Sequence, residues 1–220
     1  MGFDMRWKNT FGGFVAFAAL IISGCLYLDI RLAKLVSERV GFSFLFSESI
    51  SNLPDLLFLM ACIITVVSWT GRLYLAGKHV KGRKVNSLEH IGLTVPLAFV
   101  LKDLLKELFG RTNTRICLLY PDRFGFHWCH GGGDCASFPS GHIAVFTVLM
   151  LGIGRYFPRL RPVCAGLLFV LALALLVTEY HFFSDIVAGA CLGVIIDLLT
   201  WRGLAIFHRW KEPQTNLPAI

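Results

Sequence analysis

The sequence predicts an all-α membrane protein, six transmembrane helices packed into one bundle. Three observations carry that prediction. Apolar residues make up 55% of the 220 positions and charged residues only 16%, with a mean hydropathy of +0.66, far to the apolar side of a soluble domain. The apolar residues fall in runs long enough to cross the hydrocarbon core of a bilayer. The basic residues collect between those runs, and this explains the net charge of +7 as membrane topology rather than as a surface for nucleic acid. The lipid bilayer is therefore an expected partner, and nucleic acid is not.

The spans follow in order. The first is expected from about Phe11 to Ile30 and the second from Leu53 to Thr70. The third runs from Ser87 to Phe109, with Asn86 and Glu89 spaced as a capping box at its start. Its charge-free part stops at Leu101, so Lys102, Asp103, Lys106 and Glu107 must sit at the membrane edge or face the protein interior. The fourth runs from Gly141 to Phe157, the fifth from Pro162 to Thr178 and the sixth from Asp185 to Phe207. Met1–Thr10 does not read as a cleavable leader, because the apolar run behind it is long enough to span. Residues 1–220 read as one domain without repeats. Between the first two spans, Arg31–Ser51 carries Phe42, Phe44, Leu45 and Phe46 among scattered charges, the pattern of a helix lying on the membrane surface or packed over the bundle. Asp197 falls at membrane depth and needs a partner; the nearest candidate in sequence is Arg202.

Orientation comes from the Lys and Arg distribution. With the N-terminus inside, thirteen of the 21 basic residues lie on the inner side, tightly grouped in short loops such as Arg155–Arg161. The positive-inside rule then places both termini in the cytoplasm. The turn at Ser140, the end of the third span and His181 all fall on the outer face.

Those three places hold the polar chemistry. In Phe138-Pro139-Ser140-Gly141-His142, Pro139 biases its predecessor toward an extended backbone. Ser140 is a preferred N-cap, and Gly141 admits close approach of a ligand. The free N–H groups of the following helix suit an anion, and His142 adds a titratable donor. In His181-Phe182-Phe183-Ser184-Asp185 the acid sits four residues after the imidazole, where it can fix the tautomer and leave the other ring nitrogen free to attack. At the end of the third span Lys102 and Lys106 share a helix face, followed by Arg111 and Arg115. Cations at a helix C-terminus are also favoured by its dipole alone. Two histidines, a helix N-terminus and several cations on one side of a membrane make a phosphoryl-transfer site that needs neither a metal nor another cofactor. One histidine serves as nucleophile and the other as the acid for the leaving oxygen.

The loop His127-Trp128-Cys129-His130-Gly131-Gly132-Gly133-Asp134-Cys135 has three readings: a Cys129–Cys135 disulfide, free thiols, or a metal site. Its spacing is unlike that of paired zinc knuckles, and its glycines read as freedom to fold over the site.

On Pro139-Ser140-Gly141-His142, His181…Asp185 and Lys106…Gly110-Arg111, the chain resembles the type 2 phosphatidic acid phosphatases, integral-membrane lipid phosphatases with a six-helix core. The resemblance covers Lys102 to Gly193 within a phosphatase core of about residues 87–207. It implies that His181 is the nucleophile of a phosphohistidine intermediate, Asp185 its orienting acid and His142 the general acid. It also implies that Ser140, Gly141 and Lys106 hold the phosphate with Arg111, and Lys102 and Arg115 stand as further cations. Three positions depart from the family pattern. Asn113 and Thr114 stand where the first motif has Arg-Pro, and Leu175 stands where the third has Arg.

The expectation is a lipid phosphatase acting on a lipid phosphate or a polyprenyl or lipid diphosphate. Its site would open at the outer, periplasmic face of a bacterial inner membrane. The same first step serves a phosphotransferase that passes the group to another lipid. A third reading is a non-enzymatic membrane protein with the Cys129/His130 loop as metal or redox sensor, in which the cysteines are essential and His181 is dispensable.

Overall fold

The computed structural model describes residues 2–40, 53–80 and 82–211. The described residues are α-helical apart from turns and two isolated bridges, Arg111 with Phe126 and Gly132 with Cys135. Helix α1 (Gly2–Ser23) runs through a single π-helical turn (Gly24–Leu28) straight into α2 (Asp29–Val40). The remaining helices are α3 (Leu53–Gly77), α4 (Arg83–Phe109), the short α5 (Thr114–Leu119), α6 (Gly141–Tyr156), α7 (Arg161–Val177) and α8 (Phe183–Lys211).

Helices α4, α6 and α8 pack against one another at the centre, with α3 on α4, α1 on α8 and α7 on α6. The main core joins Leu57 and Ala61 of α3, Ile91, Val95 and Ala98 of α4, Val145 and Val148 of α6, and Ile196 of α8. The α6–α8 contact is close because α8 turns Gly189 and Gly193 toward α6. A Cβ on Gly189 would lie 2.4 Å from the Ser140 carbonyl oxygen, and one on Gly193 2.6 Å from Thr147 Cβ. This is the small-residue spacing that lets membrane helices touch backbone to backbone.

Among the described residues, four helical stretches are long and apolar enough to cross a membrane: Gly12–Val40, Leu56–Gly77, Pro158–Val177 and Phe183–Trp210. The chain is an integral membrane protein. The expected count of six spans is not reached on those criteria, for two physical reasons. Helix α4 carries Glu89, His90, Lys102 and Asp103 along its length, and α6 is apolar but only 16 residues long, about 24 Å at the α-helical rise. Both sit in the centre, where neighbouring helices rather than lipid meet much of their surface, so neither needs a continuous apolar exterior.

Two local expectations are corrected. Helix α4 begins at Arg83, so Asn86 lies inside its first turn and Asn86 with Glu89 does not form a capping box. Glu89 instead pairs with Arg72 at 2.9 Å and His208 at 3.2 Å. Asp197 is not paired with Arg202. Its carboxylate accepts from His90 Nε2 at 2.8 Å and takes a short ion pair from Arg155, both supplied by other helices. The aromatic stretch Phe42–Phe46 lies outside the described residues.

Candidate active site

Helix α7 ends in a complete Schellman closure, and this delivers His181. Glu179 takes the left-handed conformation (φ 53°) usually given to glycine. The Tyr180 N–H reaches the Leu175 carbonyl at 3.0 Å, and the Glu179 N–H reaches Leu176 at 3.0 Å. Both bonds satisfy carbonyls that the helix end would otherwise leave open. Leu175, at the position where the family pattern has Arg, is buried in an apolar cluster with Ile143 and Ile186. His181 follows two residues after the turn and is almost fully buried.

Asp185 is completely buried at the start of α8. Its Oδ2 accepts the Phe182 N–H at 3.0 Å, an acid in the first turn reaching back to satisfy the N-terminal residue. The same oxygen accepts from Ser137 Oγ at 2.5 Å, and Oδ1 accepts from Arg111 Nη1 at 2.5 Å. His181 Nδ1 stands 3.6 Å from Asp185 Oδ2 and 3.5 Å from Ser137 Oγ, an ion-pair distance rather than a short hydrogen bond. Nε2 of His181 is buried without a hydrogen-bond partner. Burial pushes the imidazole's pKa below its ordinary value, helped by the Lys106 charge and opposed by Asp185, so the ring is neutral near pH 7.

The second histidine arrives on α6. Ser140 is its N-cap residue, but Ser140 Oγ makes no capping bond and is buried without a partner. The Ser140 N–H donates to the Asp185 carbonyl at 3.0 Å, tying the start of α6 to the start of α8. His142, one residue into the helix, has its ring centroid 6.2 Å from that of His181. Tyr180 packs edge-on to both, at 5.4 Å from His142 and 5.2 Å from His181. Gly141 lies directly against the Lys102 stem: a Cβ there would sit 2.5 Å from Lys102 Cδ and push that flexible side chain aside. The buried Lys102 stem crosses the helix start, and its ammonium rests over the Phe99 ring and beside Asp103.

The cations divide. The charge of Lys106 bears on His181 and Asp185, whereas Lys102 lies along the α6 N-terminus with its ammonium turned to Phe99 and Asp103. Arg115 donates to the Thr178 carbonyl at 2.9 Å and stacks 5.7 Å from Tyr180, at the edge of the site. Arg111, expected beside the phosphate, is completely buried. Its Nη1 donates to Ser184 Oγ at 2.6 Å as well as to Asp185, and its Nη2 to Asp29 at 2.7 Å. Burial alone would lower its pKa, but Asp185 and Asp29 hold it above the usual value. Asp29, Ser137 and Ser184 were not flagged by the sequence. Their roles come from contacts between segments far apart in the chain, and only the small polar residues beside the two motifs hinted at them.

The cysteine loop folds back onto the end of α4 through bonds such as Gly131 N to the Glu107 carbonyl at 3.1 Å. Gly131 is there because a Cβ would lie 2.3 Å from the Lys106 carbonyl oxygen, so it serves close packing rather than mobility. Cys129 and Cys135 are free thiols, and the expected disulfide between them is not formed. Among the described residues no cluster of His, Cys, Asp and Glu is arranged to hold a metal.

The model of the PAP2 superfamily matches residues 88–209. A lipid A 1-phosphatase of Rhizobium johnstonii is 29% identical over 117 residues, which is 50% of this chain and 45% of that protein. The chain thus spans about half the length of the curated relative it matches. A solved structure, the first transmembrane PAP2 type phosphatidylglycerolphosphate phosphatase from Bacillus subtilis, aligns over 88% of this chain and 94% of its own with 14% identity and a TM-score of 0.48.

Proposed function

The chain belongs to the PAP2 superfamily, and from that premise we propose that it is a membrane lipid phosphatase working through a phosphohistidine. The observation that carries the reading is His181: neutral, buried, backed by Asp185 and Ser137 on Nδ1, with Nε2 unpartnered beside His142 and Lys106.

The steps follow from placement. Nε2 of His181 attacks phosphorus, and the bond from phosphorus to the lipid oxygen breaks. His142 gives its proton to that oxygen, so the lipid leaves as an alcohol, or as a monophosphate when the substrate is a diphosphate. His142 then takes a proton from water, whose oxygen attacks the phosphohistidine and releases inorganic phosphate. The N–H groups at the start of α6, with Lys106 and Lys102, stabilise the equatorial oxygens. Arg111 is assigned to orienting Asp185 rather than to binding phosphate.

The substrate class is a phosphorylated lipid whose tail stays in the bilayer. The lipid A 1-phosphatase relative makes a glycolipid phosphate the first candidate to try. In the proposed topology α4 and α6 complete six spans, both termini are cytoplasmic and the site faces outward.

The test is phosphate release by detergent-purified protein in the presence of chelator. The panel is a lipid A preparation, phosphatidic acid, phosphatidylglycerol phosphate and a polyprenyl diphosphate, with His181→Ala alongside. Release that His181→Ala abolishes supports the mechanism, and the preferred lipid names the substrate. If folded protein releases nothing from any lipid, with or without an added lipid alcohol as acceptor, the enzyme reading fails.

A further inference from the structure

The matched region begins at residue 88, yet one carboxylate from the start of α2 is built into the polar core of the candidate site. Asp29 is buried to 1% exposure. Its Oδ2 accepts from Arg111 Nη2 at 2.7 Å and from Ser184 Oγ at 2.5 Å, and its Oδ1 from the Ser184 N–H at 3.0 Å. Arg111 passes the connection on, since its other terminal nitrogen reaches Asp185. Asp29 and His181 also line one small cavity with Phe182 and Phe183. The π-helical turn Gly24–Leu28 immediately precedes Asp29. One extra residue in a turn rotates everything after it by about 100°. Gly24 lets that turn approach α8, where an added Cβ would meet Ser184 Cβ at 3.0 Å.

We infer that Asp29 is a positioning residue for the proposed reaction, acting on His181 through Arg111 and Asp185. The inference rests on the phosphatase reading. The guanidinium serves two carboxylates at once, one nitrogen to each. Without the anion at position 29, Arg111 has Asp185 as its sole carboxylate and draws it fully into a bidentate pair, at the expense of the Ser137 and His181 contacts. Two hydrogen-bonded links and one 3.6 Å ion pair thus lead from Asp29, the first residue of α2, through Arg111 and Asp185 to Nδ1 of His181, and the proposed phosphate ligands take no part in them.

The experiment measures phosphate release by the full-length protein in detergent, on whichever lipid the wild type hydrolyses. Asp29→Asn keeps the shape and removes the charge. The expected result is a fall in kcat of about tenfold or more with KM unchanged within about twofold. The acid limb of kcat/KM moves to lower pH, because removing an anion disfavours protonated imidazole. The groups facing His181 in that titration are Asp185, Lys106, Tyr180 and His142, with Arg111 and Asp29 behind them. The decisive arm is a double-mutant cycle. In an Asp185→Asn background, Asp29→Asn costs nothing further if it acts through Asp185. A kcat per folded molecule within about twofold of wild type, an unmoved acid limb, or full additivity in the cycle overturns the inference and leaves Asp29 a structural residue. If Asp29→Asn does not fold, Ser184→Ala breaks the hydroxyl bridge while keeping every charge. It carries the same cycle, with an expected fall of about threefold to tenfold. Wild type that hydrolyses no lipid means the phosphatase reading has failed; an active wild type killed by His181→Ala but indifferent to Asp29→Asn means that only this inference has.

Discussion

Among the described residues the bundle holds two buried histidine–aspartate pairs, one at the start of α8 and one at its middle, and they differ in what surrounds the imidazole. At the site end, His181 stands 3.6 Å from Asp185. That carboxylate is already served by Ser137, the Phe182 N–H and Arg111. Midway along α8, His90 bonds Asp197 directly at 2.8 Å, and Arg155 closes the other carboxylate oxygen while stacking 4.8 Å from Trp201. Each histidine has one ring nitrogen without a partner. Near the His181 ring stand His142 in the first turn of α6, with ring centroids 6.2 Å apart, and the charge of Lys106. Around His90 the ring meets Tyr156, 5.7 Å away edge-on, and the flat face of Gly152. A buried His–Asp pair therefore does not make a site. In the proposed mechanism, open donors for a developing negative charge do; the cation beside Asp197 is already spent on that carboxylate.

The largest test of this contrast is a paired deletion. His181→Ala should lower phosphate release by about four orders of magnitude or more. His90→Ala should leave turnover per folded molecule within about twofold. The reverse ranking would dissolve the distinction. Next, Asp197→Ala strands Arg155 and His90 in the core and should destabilise the fold by about 3–5 kcal/mol, read as a lowered midpoint in a thermal melt, with the surviving protein still active. A smaller effect is expected from Gly189→Ala, whose methyl would press on the Ser140 carbonyl. It should cost about 1–3 kcal/mol and lower kcat too, whereas Gly203→Ala on the same helix meets nothing within 4 Å and should change neither. The mildest prediction concerns pH. Burial depresses the His181 pKa, so kcat/KM should hold below the ordinary imidazole value near 6.5 and fall only at lower pH. Between the depressed value and about 6.5 the unfolded chain binds the extra proton. His181's contribution to stability is thus complete above that window and is lost as pH falls through it, which denaturant melts at several pH values would register.

The residues of the candidate site were legible in the sequence because their spacing is local: Ser140 and His142 at a helix start, His181 and Asp185 one turn apart. Helix ends near Gly141, Phe157 and Thr178 were legible for the same reason, within a residue or two. What packing decides was not. Asp197 had Arg202 as its nearest basic neighbour, yet its partners lie 107 and 42 positions away. A buried carboxylate takes whichever cation the neighbouring helices bring to its depth. Asp29 carried no motif, and its place depends on a π-turn that composition does not announce. Glu179 occupies a left-handed position for which glycine would have been the sequence signal. Arg111 was found as a cation near the site, but two carboxylates rather than open space surround it.

The link between Ser140 and α8 has a further meaning for how such a protein can change over time. The two reacting rings are registered to each other by main-chain atoms, through the Ser140 N–H on the Asp185 carbonyl and the bare backbone of Gly189 under Ser140. Phosphate-holding cations reach the same spot on long side chains rooted elsewhere. The first arrangement is inherited with the helix contact itself; the second can be sourced again from a new position whenever a lysine or arginine has the reach. In the proposed mechanism the cation is thus the replaceable part, whereas a side chain at 189 presses on the Ser140 carbonyl and disturbs the registration of the two rings itself.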